Sequence, residues 1–286
     1  MSGIPFEITR GPAFSPTQSR WWRVLVVRIS FVLLFALLSP IYYANRLEFL
    51  IRKKRNPLYH SRIVRLMERF PLLYELAQVV ENFPVWDRIY EAMPSFSGTV
   101  LQVGCGTGLL NRFLRHRTDI RLTNLDPNLN ALRMGVRLRR YSSYVCGYID
   151  RDTQLEARSF DAIVFPQSFH HIRNHKKAFA ECDRLLRPGG SVIIADSVVL
   201  QDATHNSAST QRFKAGGYRG NSSIDGVIWR FTPDALFRHL EECLPPTLTI
   251  HSVECVRQPH VTNYNLFVPQ ADVFAVLMKR SLDSAR

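Results

Sequence analysis

The chain has 286 residues, of which 46% are hydrophobic, and it carries a formal net charge of +13. That length holds one sizeable α/β domain plus an extension. Twelve Lys and Arg but only three Asp and Glu fall within residues 1–70, so the positive charge belongs mainly to an N-terminal arm, which argues against a nucleic-acid-binding face. The five cysteines have no paired spacing, which argues against a zinc finger or a disulfide framework and is typical of a reducing compartment.

The N-terminal arm, residues 1–55, contains a long apolar run at residues 24–43. Sixteen of these twenty residues are apolar or aromatic, two tryptophans stand shortly before the run and two tyrosines end it. As a helix the run would span about 30 Å, the thickness of the hydrocarbon core of a bilayer, with aromatic residues at both interfaces. Four consecutive basic residues at 52–55 suit anionic lipid headgroups. We expect a membrane anchor that spans the bilayer or lies in its interface, and a lid helix over the following domain is the alternative.

A secretory signal peptide is disfavoured, because more than twenty residues precede the apolar run and no clear cleavage site follows it. Residues 56–97 are predicted to be a helical connector to a domain at 98–286. Amphipathic spacing predicts helices at 63–70 and 72–80, separated by Pro71. Three aromatic residues after them are candidates for lining a pocket or for packing in the core: Phe83, Trp86 and Tyr90.

A glycine-rich turn opens the domain. The apolar run Val100–Val103 leads into Gly104, Gly106 and Gly108, and apolar helical spacing begins at Leu109. A strand, a glycine turn and a helix in that order are typical of the nucleotide-binding half of a Rossmann-like unit. Glycine is needed in such a turn because the backbone adopts unusual angles and a ligand approaches the main chain closely.

The second predicted strand, residues 120–125, ends in Asp126. A carboxylate at the tip of the strand after a glycine loop is placed to accept hydrogen bonds from ribose hydroxyls. The following helix carries a basic run that we interpret as a solvated face rather than an RNA-binding surface: Arg133, Arg137, Arg139 and Arg140.

The rest of the domain alternates between apolar strands and amphipathic helices. The pattern predicts, in chain order, a buried strand, a helix stopped by a proline and two glycines, a strand ending in an aspartate, a helix with Thr232 as N-cap, and two closing strands: 159–165, 178–186, 191–196, 232–240, 247–255 and 271–279. The polar stretch between Asp196 and Phe231 follows the carboxyl end of a strand, which is where a ligand-binding cap would lie.

This succession resembles the class I S-adenosylmethionine-dependent methyltransferases, in particular the ubiquinone/menaquinone-type small-molecule methyltransferases. The resemblance covers about residues 98–280 and rests on five motifs in family order: VGCGTG from Val103, NLDPN from Asn124, SFDAIVF from Ser159, HHI from His170 and LRPGG from Leu186. It implies a Rossmann-like α/β fold with a seven-stranded, mostly parallel sheet, helices on both faces and an N-terminal hydrophobic helical extension. An NAD-binding protein is the rival, but its usual motif places the third glycine one residue after Gly108.

The resemblance implies S-adenosyl-L-methionine as cofactor. The residues it assigns to cofactor binding are Val103, Gly104, Cys105, Gly106, Gly108, Asp126, Pro127, Tyr148, Ile149, Asp150 and Gln167. Two departures stand out. Gln102 replaces a frequent acidic residue, and Cys146–Asp150 replaces a common Gly-Asp-Ala, so the acid expected near the adenine is either Tyr148 or has shifted to Asp150.

Methyl transfer needs an acceptor atom in line with the methyl group, and sometimes a base that removes a proton from the acceptor. The candidate bases are His170 and His171, because an imidazole titrates near neutral pH, followed by Asp196 at the tip of its strand. The alternative role for the histidines is to pack against the cofactor. No metal site is expected, although His175 stands nearby.

We therefore expect a membrane-associated methyltransferase with its catalytic domain in the cytoplasm, acting on a hydrophobic small molecule such as a quinone or polyketide. Its expected partners are this acceptor and membrane lipids, without nucleic acid. The alternatives are a soluble natural-product O- or N-methyltransferase with an N-terminal lid, and a non-catalytic cofactor-binding scaffold protein. The sequence leaves open the acceptor atom and the oligomeric state.

Overall fold

The computed structural model describes residues 89–200, 231–263 and 268–281, together with Trp229, residues 8–10 and 69–72, and positions 29, 33 and 36 of the N-terminal arm. Most of the apolar run at 24–43 and of the two connector helices lies outside the described residues, as do Phe83, Trp86 and most of the polar stretch after Asp196. Among the residues that are described, no helix is long and apolar enough to cross a membrane.

The described chain forms one mixed sheet with helices on both sides. The strands are β1 (Ile8–Arg10), β2 (Gly98–Val103), β3 (Ile120–Asp126), β4 (Val145–Cys146), β5 (Phe160–Pro166), β6 (Leu186–Val199), β7 (Leu248–Asn263) and β8 (Val268–Lys279). The helices with both ends described are α1 (Leu109–Phe113), α2 (Leu129–Arg137), α3 (His175–Leu185) and α4 (Pro233–Cys243), and a 3₁₀ turn covers Phe169–His171.

The strand order is β1-β7-β8-β6-β5-β2-β3-β4. All neighbours are parallel except β8, which runs antiparallel to both β6 and β7. The seven strands β2–β8 confirm the predicted Rossmann-like sheet with its antiparallel closing pair. The short strand β1 extends the sheet beyond β7. It was not predicted, because three residues carry no periodic pattern.

The order of the strands positions the site. The chain moves outward from β2 to β3 and β4 on one side, and from β5 to β6 on the other. The strand order therefore reverses between β2 and β5, and ligands of open α/β sheets bind beyond the carboxyl ends of the strands at such a point. The glycine loop after β2 and the 3₁₀ turn after β5 both lie there.

Apolar packing on both faces holds these loops in place. One cluster joins the sheet to α3, where Phe179, Cys182 and Leu185 are fully buried, and the other joins it to α1 through Leu110. Strand residues alternate between the two clusters, as Ile163 and Val164 of β5 do, because successive side chains of a strand point to opposite faces.

Side-chain caps fix where the helices begin. Asn128 accepts hydrogen bonds from the backbone N–H groups of Asn130 and Ala131 at the start of α2. Thr232 accepts one from Ala235, with a proline at the first helical position, so the predicted N-cap of α4 is confirmed. Helix α3 begins a few residues earlier than its apolar spacing predicted, because Asn174 caps it.

Candidate active site

The glycine loop leaves β2 with all three glycines in the left-handed region of φ. Gly104, Gly106 and Gly108 have φ of +73°, +52° and +85°, values that side chains with a Cβ adopt rarely. A Cβ on Gly104 would lie 2.3 Å from the Cβ of Ser168, so the loop and the turn after β5 touch directly. A Cβ on Gly106 would meet no atom of the described residues within 4 Å, which leaves open space above the loop for a ligand.

Asp126 ties the end of β3 to this loop. Its Oδ2 accepts a hydrogen bond of 2.8 Å from Gly106 N–H, and its Oδ1 accepts one of 2.7 Å from Asn128 N–H. Burial outweighs these two hydrogen bonds and raises the pKa of Asp126 to about 6. Each carboxylate oxygen can accept more than one hydrogen bond, so the group retains capacity for ribose hydroxyls.

Three further residues of the loop and strands carry no charge: Cys105, Pro127 and Gln102. Burial, and then the charge of Asp126, raise the pKa of the Cys105 thiol well above its ordinary value, so Cys105 stays protonated. The carbonyl of Pro127 lies 3.8 Å from the Sγ of Cys146. Gln102, which replaces an acidic residue of the resembled family, is 1% exposed in β2, and its Oε1 has no hydrogen-bond partner among the described residues.

The three predicted residues after β4 have different environments. Ile149 is buried in the core. The ring of Tyr148 lies 4.6 Å from the guanidinium of Arg151, and Asp150 accepts a hydrogen bond of 3.1 Å from the N–H of Asn174. Their assignment to the adenine side of the cofactor stays a prediction.

Two polar residues, Gln167 and Ser168, follow β5 directly. Gln167 has φ of +56°, and its N–H donates to the carbonyl of Ala195 at 2.6 Å. Its buried Nε2 has no hydrogen-bond partner among the described residues. Ser168 Oγ donates to the carbonyl of Val103 at 2.6 Å; this residue was not predicted, since a lone serine after a strand carries no signal.

Together these features fit S-adenosylmethionine. The open space above Gly106 admits a ligand close to the backbone, Asp126 offers a buried acceptor for hydroxyls, and the Gln167 amide is a buried donor aimed at no described protein group. S-adenosylmethionine carries hydrogen-bonding groups of the kind that such buried polar atoms require.

His170, which is partly buried, and Asp196, which is buried, form a pair at the carboxyl ends of β5 and β6. His170 Nδ1 lies 2.8 Å from Asp196 Oδ1 and 3.0 Å from Oδ2, and the backbone N–H of His170 donates to Oδ2 at 2.9 Å. Burial would raise the pKa of Asp196, but the charge of His170 and the hydrogen bonds from His170 and Ser197 hold it below its ordinary value. A carboxylate only accepts, so the proton of a neutral His170 ring lies on Nδ1 and Nε2 keeps a lone pair.

The other two histidines lie in different surroundings. The ring of His171 lies 4.1 Å from that of His170. His175 is 2% exposed, within hydrogen-bond distance of the Phe169 carbonyl at 3.0 Å and of His239 at 2.8 Å. Within the described ranges, no group of three or more His, Cys, Asp or Glu could hold a metal ion.

Trp229 fixes the turn that carries His170. Its backbone N–H donates to the carbonyl of His170 and its indole Nε1–H to that of Ile172, both at 2.8 Å. Nothing in the sequence pairs Trp229 with a turn nearly sixty residues earlier, so this contact was missed.

A family model described as a methyltransferase domain matches residues 101–194, the span that contains the glycine loop, Asp126 and His170. The chain carries a class I S-adenosylmethionine-dependent methyltransferase domain. Among solved structures, an S-adenosylmethionine-dependent methyltransferase from Methanosarcina mazei is similar, with a TM-score of 0.51 at 15% identity over 68% of this chain and 97% of that one. At that identity the likeness shows a shared fold.

The curated relatives of the methyltransferase domain have names that refer to different acceptors. A thiol S-methyltransferase of Homo sapiens is 26% identical over 145 residues, which make up 48% of this chain and 59% of that protein. A ubiquinone biosynthesis O-methyltransferase of Cronobacter sakazakii is 28% identical over 108 residues, 35% of this chain and 42% of that protein. The chain thus spans less than two thirds of the length of either relative.

The raised pKa of Asp126 predicts a pH dependence of cofactor binding to the methyltransferase domain. Ribose hydroxyls donate to the ionised carboxylate, so binding favours the deprotonated form. Affinity for S-adenosylmethionine should fall as the pH drops through about 6, by up to about tenfold per unit below it. Asp126→Asn should bind about 1–3 kcal/mol more weakly at pH 8 and lose this dependence. Calorimetry from pH 5 to 8 measures both, and an unchanged profile in the variant would exclude Asp126 as the titrating group.

Proposed function

We propose that the protein is a membrane-associated methyltransferase that methylates a hydrophobic small molecule at an atom which loses a proton. The observation that carries this proposal is the His170–Asp196 pair, which lies at the same edge of the sheet as the glycine loop. An acceptor bound between these features would have the cofactor on one side and an imidazole on the other.

The side chains of the pair have separate tasks in this proposal. Asp196 accepts the Nδ1 proton of His170 and so leaves Nε2 as the proton acceptor, in the way a carboxylate orients the histidine of a hydrolase triad. When bound, S-adenosylmethionine supplies an electrophilic methyl group on its sulfonium. His170 Nε2 would take the proton that the acceptor loses when it receives the methyl group.

The acceptors in the names of two relatives support a hydrophobic, ionisable acceptor. The named relatives are a thiol S-methyltransferase and an O-methyltransferase of ubiquinone biosynthesis. Sulfur and oxygen acceptors both lose a proton on methylation, which suits a base at His170. The methyltransferase domain uses S-adenosylmethionine from the cytosol. The domain is therefore proposed to face the cytoplasm.

The membrane association is proposed from the N-terminal arm. Its apolar run at 24–43 has the length of a bilayer span and the basic group at 52–55 follows it. The described positions in this run, Ile29, Leu33 and Ala36, are helical and exposed, and their spacing puts them on one face of a helix. An exposed apolar face of this kind suits contact with lipid.

A transfer assay tests the function directly. The full chain, tritiated S-adenosylmethionine and a panel of lipophilic thiols, phenols and hydroquinones are incubated in detergent or vesicles. Methylated product and an equal amount of S-adenosylhomocysteine are expected with at least one acceptor. Tight cofactor binding without turnover on any class of the panel would favour a scaffold protein instead.

Membrane attachment gives a separate prediction. The full chain should sediment with membranes and stay there in 1 M salt, because apolar burial holds it, whereas salt screens a purely electrostatic attachment. A variant that begins at Asn56 should be soluble, bind cofactor and turn over a membrane-dissolved acceptor poorly. The lid alternative predicts the opposite, namely an intact chain in the detergent-free supernatant and a truncated chain that aggregates.

A further inference from the structure

Arg140 and Tyr141, which follow the end of α2, bind carbonyl groups of the glycine loop. The hydroxyl of Tyr141 lies 2.8 Å from the carbonyl oxygen of Gly106 and 3.2 Å from that of Leu132. The guanidinium of Arg140 donates from Nη1 to the carbonyl and to the Oγ1 of Thr107, both at 3.2 Å. Consecutive residues thus bind consecutive carbonyls of the loop.

The solvated face predicted for the arginine run is therefore wrong at one position. Arg133, Arg137 and Arg139 are exposed, but Arg140 is half-buried and reaches Thr107. The reason is that α2 ends at Arg137 and the chain then turns back toward the loop through Arg139, whose φ is +54°.

The packing around Tyr141 depends on two glycines. A Cβ on Gly108 would lie 2.7 Å from the Tyr141 ring, and a Cβ on Gly135 would lie 2.2 Å from its hydroxyl oxygen. Gly135 lies inside α2, where alanine forms a more stable helix. Its placement there is explained by the room that the tyrosine needs.

We infer that Arg140 and Tyr141 are positioning residues for the cofactor: they hold the glycine loop in its binding conformation. In a trans peptide the C=O and the N–H point in opposite directions. Because Tyr141 holds the carbonyl of Gly106 behind the loop, the N–H of Thr107 is directed to the other side. A loop with three glycines has many alternative conformations, and ordering them in advance strengthens ligand binding.

This inference rests on the proposed function only in that S-adenosylmethionine is the ligand, and its test measures binding rather than transfer. In the full chain, Tyr141→Phe keeps the ring and removes the hydrogen bond to Gly106. The affinity for S-adenosylmethionine by calorimetry should weaken about three- to tenfold, while the melting temperature without cofactor changes little. The matched control is Tyr144→Phe, three residues further on and also half-buried, which should bind as the wild type does.

A merely structural role for Tyr141 gives a different result. The melting temperature of Tyr141→Phe would then fall while its affinity equalled that of the wild type, and the inference would be overturned. In the transfer assay, the KM for S-adenosylmethionine should rise with little change in kcat or in the KM for the acceptor. A wild-type protein that binds cofactor but methylates nothing would contradict the proposed function and leave this binding test intact.

A double-mutant comparison tests the packing itself. Gly135→Ala should weaken cofactor binding in the wild-type background, because its methyl group displaces the Tyr141 hydroxyl. In a Tyr141→Ala background the three atoms nearest to the methyl group are removed, so the same change should leave affinity unaltered and raise the melting temperature through its helix propensity. Equal effects of Gly135→Ala on affinity in both backgrounds would show that the two residues act independently and would overturn the inference.

Discussion

Gly106→Asp is expected to abolish S-adenosylmethionine binding in a protein that remains folded. The Cβ at this position points into space where no atom of the described part of the chain lies within 4 Å, so the new side chain occupies the proposed cofactor site. It also places a second carboxylate close to the buried Asp126. The fold should tolerate the change, because aspartate is among the few residues that adopt a φ of this sign with modest strain.

Gly189→Asp is the matched control for this variant. Gly189 also has a positive φ, +78°, and among the described residues a Cβ there would likewise meet nothing within 4 Å. It lies at the start of β6, at the opposite end of the strand from Asp196. The control should lose as much stability as Gly106→Asp and keep its cofactor affinity. Native affinity in a folded Gly106→Asp protein would exclude the glycine loop as the binding site.

The fold was predictable because its signals are local and repeated. Apolar runs such as 160–165 and 192–195 have the length of buried parallel strands, and each is joined to the next by a helix with apolar spacing. The glycine turn and Asp126 were predictable for the same reason, since their spacing follows from one strand–turn–helix–strand unit. The structure joins them by a hydrogen bond from Gly106 N–H.

Other parts of the site depend on contacts between distant segments. Arg140 was placed on a solvated face because its charge and spacing match those of its neighbours, and only the turn after α2 brings it to Thr107. Ser168 supports the loop through Val103, 65 residues earlier in the chain. Trp229 acts in the same way on the turn after β5. Such pairs leave no periodic pattern in one sequence.

The choice between the two adjacent histidines also depends on a contact between distant segments. Neighbouring side chains point in different directions, and the sequence does not show which of the two faces the acceptor. His170 and His171 were therefore equivalent candidates. The structure pairs His170 with Asp196, through both its ring and its backbone N–H, and places His171 beside it. Replacing His170 is therefore expected to change the rate of the reaction differently from replacing His171.

His170→Ala should lower the rate of methyl transfer by about 10²–10⁴-fold, the range for loss of a general base, and leave cofactor affinity unchanged. His171→Ala is the matched control and should retain most of the rate. Asp196→Asn should also be slow, because the neutral amide no longer compels Nδ1 of His170 to carry the proton.

Calorimetry on the same protein samples separates catalysis from binding. The depressed pKa of Asp196 keeps its carboxylate ionised throughout the neutral range, so removing its charge changes the His170 environment without altering the glycine loop. Slow transfer with native affinity for S-adenosylmethionine in both His170→Ala and Asp196→Asn is the expected result. If both variants transfer at the wild-type rate, the acceptor ionises without help from the protein, and the pair serves only to hold the turn after β5.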